Sequence, residues 1–264
     1  ASASAFTSAY NGMYLRLVDS ASLVRHALIT GYTSATVVTA TLSGAIADTT
    51  AITDWQEPVF SSVRGYARTV TFHDQRLIFG GSRDLPNFLF MSKTGEFFNF
   101  DVGTGLDDES IQVQIAENQV SEIKALSSFR HLSIFTSEQE LYVPTTENRP
   151  LTPATITVKS QTSFGSSGVQ PKDFDGATLF LTKSKGAVRE FIYSDREAGY
   201  VSTNISVLAN HLIDSPKDIA IAKLFISAFT NSPSLLVSIK ISPILPSSYS
   251  PVCKYTLWSP IVAF

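Results

Sequence analysis

Cysteine is almost absent from this sequence: Cys253 is the only one in 264 residues. A single thiol excludes an intramolecular disulfide and any zinc site built from several cysteines. Charge is also scarce, because Asp, Glu, Lys and Arg make up 16% of the chain and the formal net charge is −3. We therefore expect no basic field that would attract nucleic acid without regard to its sequence.

Long apolar segments are missing too. The stretch 219–236 comes nearest to the ~18 apolar residues that span a bilayer, but Lys223, Asn231 and Pro233 interrupt it. The first ten residues have no basic region followed by an apolar block. We therefore predict neither a secretory signal nor a membrane span. The absence of an initiator Met predicts a fragment or a processed chain.

What the sequence does contain is typical of β-strands. The segment "YLRLVD" at 14–19 alternates between apolar and polar residues, and 25–44 is rich in Thr and Val with Gly31 and Gly44 as breaks. These patterns predict a β-rich platform segment over residues 1–55.

Three similar apolar segments recur further along the chain. "RLIFGGS", "LSIFTSE" and "TLFLTKS" begin at residues 76, 132 and 178, so they stand about 50 residues apart. That spacing is typical of four-stranded β-propeller blades. We predict an all-β fold with propeller-like blades over residues 56–218. An antiparallel sandwich with similar hairpins is the alternative.

The first of these repeats is the clearest. Its segments "RTVTFHD", "NFLFMS", "EFFNFD" and "IQVQIAE" each predict a further strand, with turns at Gly80-Gly81 and at "KTG". The phenylalanines between residues 72 and 100 are expected to pack between sheets.

Two segments depart from the strand pattern. Residues 202–214 begin with Ser-Thr and place Ile205, Leu208 and Leu212 at helical spacing, which predicts one short helix. Residues 219–264 form an atypical Ser/Pro-rich tail that contains no Asp or Glu, and its prolines argue against long helices or central strands.

A Ser-His-Asp arrangement could be assembled from Ser61 or Ser62 with His73 and Asp74. In a triad the acid orients the imidazole from behind while the nucleophile lies in front. Neighbouring residues on a strand point to opposite faces, so His73 and Asp74 are badly placed for these roles. No G-x-S-x-G sequence is present either. We predict a polar connection between two strands of a hairpin.

Acidic residues offer two further possibilities. The loop 101–109 holds Asp101, Asp107, Asp108 and Glu109, and clustered oxygens are what a hard cation such as calcium requires, although the EF-hand spacing is absent. We expect a solvated loop, with cation binding as the alternative.

Pairs of carboxylates are the second possibility. Glu138 with Glu140, and Glu117 with Glu122, lie at strand connections, where a glycoside hydrolase would need two acids facing one cleft. No feature of the sequence distinguishes these acids from solvated turn residues.

Other functional motifs are lacking. The turn "SKTGEFF" lacks the Asp and Trp of a sialidase-type Asp-box, and no phosphate-binding glycine loop occurs. The histidines are too scattered to predict a metal site, and they are His26, His73, His131 and His211. We assign no catalytic, cofactor-binding or metal-binding residue and no cofactor.

Four longer segments of the chain together carry a family resemblance, and they are "GYTSATVVTATLSG" (31–44), "DWQEPVFSSVRGYARTVTFHDQRLIFGGSRDLPNFLFMSKTGEFFNFD" (54–101), "LTPATITVKSQTSFGSSGVQP" (151–171) and "VREFIYSDREAGYVSTNISVLANHLI" (188–213). They resemble the tail nozzle family of short-tailed bacteriophages, also called tail tubular protein B. The resemblance runs from about residue 28 to 217 and departs from the family where Ala67 replaces a proline after "RGY". Family members are also longer, and the match ends near Asp218.

The resemblance implies a non-enzymatic virion protein of the phage tail. Such nozzles are homo-hexameric rings with a β-propeller beside a β-rich platform. They extend the DNA channel below the adaptor ring and help to anchor the tail fibres. DNA would pass through the lumen without sequence-specific binding, which an acidic net charge would favour.

Two other classes remain as alternatives to this interpretation. A carbohydrate-binding propeller would display exposed aromatic residues on its loops. A glycan hydrolase would depend on carboxylates such as Glu138 and Asp108.

Overall fold

The computed structural model describes residues 4–48, 50–103, 105–116, 121–145, 151–224 and 236–240, with the backbone alone for 222–224 and 236–240. Its strands form four antiparallel sheets of four strands each and one two-stranded hairpin. Contacts divide the chain into two units, of which the first comprises residues 1–67 with Ser82–Leu85 and the second comprises the remainder.

The first unit contains one sheet with the strand order β3-β2-β1-β4. Leu15 and Ile29 on its long strands pack with Tyr10 and Met13 in a small core. The Tyr10 hydroxyl donates a hydrogen bond to Glu57 Oε2 at 2.9 Å. The strands are β1 (Tyr14–Val18), β2 (Val24–Ser34), β3 (Val37–Leu42) and β4 (Trp55–Gln56).

The second unit contains three blades, in each of which four strands pair in chain order. Blade 1 consists of β5 (Thr69–His73), β6 (Arg76–Gly80), β7 (Phe88–Met91) and β8 (Ile111–Gln114). Blade 2 consists of β9 (Ile123–Ser128), β10 (Leu132–Thr136), β11 (Glu140–Val143) and β12 (Lys159–Thr162). Blade 3 consists of β13 (Lys172–Phe174), β14 (Ala177–Leu181), β15 (Val188–Ser194) and β16 (Gly199–Asn204). A hairpin follows, of β17 (Ala220–Leu224) and β18 (Leu236–Lys240).

The predicted all-β, blade-like fold is confirmed. The three recurring apolar segments form β6, β10 and β14, the second strand of each blade. All five residues of β10 and of β14 are buried. Strands covered on both faces carry continuous apolar runs, which explains why these segments stand out in the sequence.

The strand predicted at "EFFNFD" is wrong. After β7 the chain makes a tight turn closed by a bridge between Lys93 and Glu96, and it turns again when the Asn99 amide donates to the Glu96 carbonyl at 3.1 Å. The fourth strand of blade 1 is β8, from the predicted segment "IQVQIAE", which pairs with β7. Two successive reversals leave no extended stretch between Glu96 and Asn99 for ladder pairing.

The helix predicted over residues 202–214 is also not formed. Residues 202–204 belong to β16, and the sole helical piece in this span is a 3-10 turn at Asn210–Leu212. Leu208 is 91% exposed, so the apolar residues at helical spacing have no surface to pack against. Helical periodicity without such a surface does not stabilise a helix of this length.

Blades 1 and 2 pack through an aliphatic surface that we call seam 1–2. Blades 2 and 3 pack through an aromatic surface, seam 2–3. Seam 1–2 is formed by Ile78, Leu89, Met91, Ile111, Ile123, Leu126, Leu132, Ile134, Leu141 and Val143. Seam 2–3 is formed by Ala125, Phe135, Tyr142, Phe180, Phe191 and Tyr200, with Tyr193 at its edge.

The predicted Gly-Gly turn has two separate roles. Gly81 has a φ of +57°, a backbone conformation that favours glycine, and a Cβ on it would lie 2.8 Å from the Pro86 carbonyl oxygen. Gly80 lies in seam 1–2, where a Cβ would lie 2.9 Å from Thr69 Cγ2, 3.0 Å from Ile123 Cγ2 and 3.1 Å from Leu126 Cδ1. The first two blades therefore approach each other closely at Gly80.

Some predictions concern residues that the structure does not describe. Cys253 and most of the Ser/Pro-rich tail lie outside the described residues. Among the residues that are described, no helix has the length and apolarity that crossing a bilayer requires.

Substitution of Gly80 by alanine tests the close approach of the blades. We expect Gly80→Ala to lower the free energy of unfolding by about 1–3 kcal/mol, because its methyl group overpacks seam 1–2. Urea denaturation measures this change. Gly186→Ala is the matched control, since a Cβ there meets only Ser184 Oγ at 3.9 Å. Equal effects of the two substitutions would contradict the close packing at Gly80.

Candidate functional site

Arg76 is the most deeply buried charged side chain of blade 1, with 1% of its surface exposed. Its guanidinium donates to four backbone carbonyls, those of Ser92 (2.7 Å), Glu109 (2.6 Å), Asp107 (3.0 Å) and Leu151 (3.2 Å). Burial lowers the pKa of Arg76, and the nearby carboxylates of Asp108 and Asp74 oppose that effect. Arg76 therefore holds together the β5–β6 hairpin, the acidic loop and the segment before β12.

Two carboxylates of the acidic loop 101–109 accept hydrogen bonds from backbone amides within the loop. Glu109 Oε2 accepts hydrogen bonds from the amides of Gly105 and Leu106, the latter at 2.7 Å. Asp101 Oδ1 accepts one from the Gly103 amide at 3.2 Å. Within the described part of the chain, no group of three or more His, Cys, Asp or Glu side chains could hold a metal ion.

The candidate triad residues fall into two groups that the structure uses differently. In the first unit, Ser61 Oγ accepts a hydrogen bond from the Arg64 amide at 3.0 Å, and Ser62 Oγ donates to the Ala9 carbonyl at 3.3 Å. His73 Nδ1 instead lies 2.8 Å from the hydroxyl of Ser128 on β9. Ser128 could not be predicted as the partner of His73, because 55 residues separate the two in the sequence.

Asp74 does not lie on the strand, so the expectation that it and His73 point to opposite strand faces is wrong. β5 ends at His73, and Asp74 and Gln75 have φ values of 45° and 58°, as a two-residue hairpin turn with positive φ requires. Asp74 Oδ2 consequently comes to 3.7 Å from His73 Nε2, beyond hydrogen-bonding distance. The arrangement is therefore a hydrogen bond between strands of two blades, without the acid–imidazole bond of a triad.

The carboxylates at strand connections have distinct environments. Glu122 forms ion pairs with Arg68 (2.7 Å) and Lys124 (2.6 Å), and Glu138 pairs with Lys183. Glu117, the remaining candidate, lies outside the described residues.

Glu140 differs from these acids because it is fully buried. Its Oε2 accepts hydrogen bonds from Thr162 Oγ1 (2.6 Å) and the Phe164 amide (3.3 Å), while the buried Oε1 has no hydrogen-bond partner. Burial raises the pKa of Glu140, and these hydrogen bonds and Arg189 oppose the rise.

The histidines do not converge on one site. His26 and His211 are exposed, whereas His73 and His131 are buried. His131 Nδ1 lies 3.1 Å from the Tyr200 hydroxyl in seam 2–3. The two buried imidazoles thus occupy different seams.

One surface of blade 1 is exposed and apolar, and we call it the aromatic face. It comprises Val70, Phe72, Phe97 and Phe98, which are 53%, 59%, 38% and 96% exposed. The rings of Phe72 and Phe97 meet edge to face, with centroids 5.2 Å apart. The expectation that all phenylalanines of this segment pack between sheets is therefore wrong: Phe90 is buried, but Phe72 and Phe98 face solvent.

The alternation of β5 explains the aromatic face. Thr69 and His73 on one face of the strand bond to β9, through Thr69 Oγ1 to the Leu126 amide at 3.1 Å and through His73 to Ser128. Val70 and Phe72 occupy the opposite face, because successive side chains alternate. Polar residues of β5 are thus directed into the blade packing and apolar residues are directed out of it.

Comparison with models of known protein families finds no match to this chain, and comparison with curated protein sequences finds none either. The aromatic face, the buried Arg76 and the two buried histidines are the features from which a function can be argued.

Removal of the Arg76 guanidinium tests whether its hydrogen bonds to four backbone carbonyls stabilise the fold. We expect Arg76→Met to lower the free energy of unfolding by ~3 kcal/mol or more, because each buried carbonyl left without a donor costs about 1–3 kcal/mol. Urea denaturation followed by circular dichroism measures the loss. The control is Arg196→Met, at an exposed position in the β15–β16 turn, where we expect a change within about 0.5 kcal/mol. An Arg76→Met variant as stable as the parent would contradict this role.

The raised pKa of Glu140 predicts how the stability of the folded chain changes with pH. Its pKa is raised in the folded state, so the folded chain holds the proton more tightly and loses stability as pH rises above ~4.3, the unfolded value. Each unit of difference between the two pKa values is worth ~1.4 kcal/mol. We expect Glu140→Gln to be more stable than the parent at pH 8, with a smaller gain at pH 4, in urea denaturation at both pH values. The control Glu138→Gln, at a less buried ion pair, should show no such pH-dependent gain.

Proposed function

We propose that this chain is a structural component of the tail of a short-tailed bacteriophage, namely the nozzle that assembles as a homo-hexameric ring around the path of the DNA. The observation that carries the proposal is the inverted alternation of β5. A sheet with one face in water normally directs its apolar residues inward. Since Val70 and Phe72 point outward, the aromatic face is suited to be covered by protein.

A second copy of this chain is the occupant that we propose for the aromatic face. The face itself carries no charge, and Lys93 beside it in the sequence lies 3.6 Å from Glu96 and 3.4 Å from Asp108. Charges of both signs at the border allow an identical subunit to approach without like-charge repulsion. A ring of identical subunits buries such a surface once per copy.

The segments that resemble the nozzle family support the same proposal by their location. "TVTFHDQRLIFGGS" forms the β5–β6 hairpin of blade 1, and "VREFIYSDREAGYVSTN" forms β15 and β16 of blade 3. The resemblance therefore includes parts of blades 1 and 3 and the strand that carries the aromatic face. In the proposed virion these blades contribute to a wall of the DNA conduit and offer surfaces to the adaptor and the tail fibres.

The charge distribution suits a conduit rather than a nucleic-acid binder. Several basic side chains are paired with carboxylates, as Arg68 and Lys124 are with Glu122. Pairing reduces the positive charge that phosphates would meet, and the net charge of −3 acts in the same direction. Such a surface lets DNA pass without holding it.

The proposed ring can be tested directly. The purified chain should form particles that negative-stain electron microscopy shows as sixfold rings. We expect the double substitution Phe72→Asp and Phe98→Asp to reduce the mass measured by light scattering to that of the 28.7 kDa monomer, because two charges per copy would have to be desolvated in the contact.

The control is Leu208→Asp, at a residue that is 91% exposed but lies outside the aromatic face. It should leave the assembly intact. A chain that stays monomeric at every concentration would refute the ring, whereas a ring that survives the double substitution would show that another surface makes the contact.

Carbohydrate binding is the second candidate, because it also requires exposed aromatic rings on blade loops. Phe98, on the β7–β8 connection, and Phe129, in the β9–β10 turn, meet that requirement. Glycan-array binding that persists at high salt and disappears in Phe98→Ala or Phe129→Ala would favour this candidate over the ring. Absence of any glycan signal from the folded chain would rule out carbohydrate binding.

A further inference from the structure

Both seams between the blades are hydrogen-bonded through a buried imidazole. His73 at the end of β5 bonds across seam 1–2 to Ser128 at the end of β9, with Nδ1 and Oγ 2.8 Å apart. His131, just before β10, bonds across seam 2–3 to the Tyr200 hydroxyl at 3.1 Å. Both histidines are 7% exposed. Both lie where the first strand of a blade passes into the second.

The surroundings of His73 favour a neutral ring. Burial lowers the pKa of His73, and the charge of Asp74 opposes that effect from a half-exposed position. His73 Nε2 is buried without a hydrogen-bond partner, at 3.7 Å from Asp74 Oδ2. Arg76, paired with His73 across the turn, donates its hydrogen bonds to backbone carbonyls. A protonated ring would therefore lose hydration without gaining a close anionic partner.

The surroundings of His131 act in the same direction. Its ring lies 5.4 Å from that of Tyr142, 5.2 Å from that of Tyr193 and 5.8 Å from that of Tyr200. Burial lowers the pKa of His131, the positive charges of Arg130 and His73 lower it further, and Asp74 opposes them.

The remaining charges near His131 are already paired with each other or with a ring. Arg130 lies over the Tyr193 ring at 4.5 Å and 3.3 Å from Asp195. An additional cation at His131 would repel Arg130, and it would also repel a protonated His73.

We propose that His73 and His131 form an acid-sensitive pair of contacts, so that protonation of both imidazoles loosens seams 1–2 and 2–3 at this end of the blades. The proposal goes beyond the structural role above and holds whether or not the chain belongs to a phage tail. Neutral imidazoles stabilise the packing, whereas charged ones must be hydrated and therefore open the packing.

The direction of the pH effect follows from the lowered pKa values. The unfolded chain takes up protons on these histidines as pH falls below ~6.5, and the folded chain takes them up only at lower pH. Stability contributed by the neutral rings is thus complete above pH ~6.5 and is lost as pH falls below that value. Each histidine decreases the folding equilibrium constant by up to about tenfold per pH unit in this window.

The test compares unfolding equilibria between pH 7.5 and 5.0 in urea. All variants carry Glu140→Gln, because Glu140 changes stability in the opposite direction with pH. We expect the parent, which here carries Glu140→Gln alone, to lose stability steeply as pH falls. The double variant His73→Asn with His131→Asn should show a flatter dependence of stability on pH. The reason is that an asparagine amide can still bond to the same partners and does not titrate. His26→Asn with His211→Asn is the matched control at exposed positions and should follow the parent.

A second measurement covers the case in which the double variant does not fold. Nuclear magnetic resonance titration of the assigned imidazole protons in the parent chain should show that His73 and His131 titrate below 6.5. Titration of His73 and His131 at or above 6.5 would overturn the proposal. So would a folded double variant whose stability falls with pH as steeply as that of the control.

Discussion

The guanidinium of Arg76 is the interaction on which the arrangement of blade 1 depends. A buried cation requires several hydrogen-bond acceptors, and here they come from the Ser92, Asp107, Glu109 and Leu151 carbonyls. These residues lie 16 to 75 positions away in the sequence. One side chain therefore fixes the end of β7, the acidic loop and a segment that leads into the last strand of blade 2. Arg76 thus fixes the backbone of that loop at Asp107 and Glu109.

Polar contacts between the first strands of the blades supply a second constraint. Ser127 Oγ donates to both oxygens of Asp173, at 2.8 and 3.0 Å, and Thr178 Oγ1 donates to Asp173 at 2.7 Å. Together with the bonds of Thr69 and His73, these contacts lie beside the apolar seams. Directional hydrogen bonds oppose sliding of one blade past another, because a shifted blade would leave buried polar atoms unpaired. His73 is the member of this set for which we propose a contribution that falls at low pH.

The sequence predicted correctly those strands that are buried on both faces. Strands such as β10 and β14 are buried on both faces and are recognisable as apolar runs at regular spacing. The hydrophobic pattern predicted the wrong structure where contacts with distant residues determine the conformation. The segment "EFFNFD" has the composition of a strand, but its chain reverses twice. Leu208 lies at helical spacing, but it has no packing partner. The partners of the buried histidines could not be predicted, since Ser128 and Tyr200 lie 55 and 69 residues from them. Local periodicity contains no information about contacts at that separation.

The alternation of β5 shows why an exposed apolar surface is harder to predict than a core. From the sequence, "TVTFH" alternates, and alternation alone favours apolar residues inward. The structure directs Thr69 and His73 inward because β9 offers them the Leu126 amide and the Ser128 hydroxyl. Once those bonds fix the register, Val70 and Phe72 must point out, because a shift by one residue would exchange the two faces. The polar contacts to which we attribute the proposed acid sensitivity of seam 1–2 therefore also expose the aromatic face. Loosening of that seam at low pH would weaken the geometry that presents Phe72, so the proposed acid sensitivity and the proposed self-association would be coupled through a single strand.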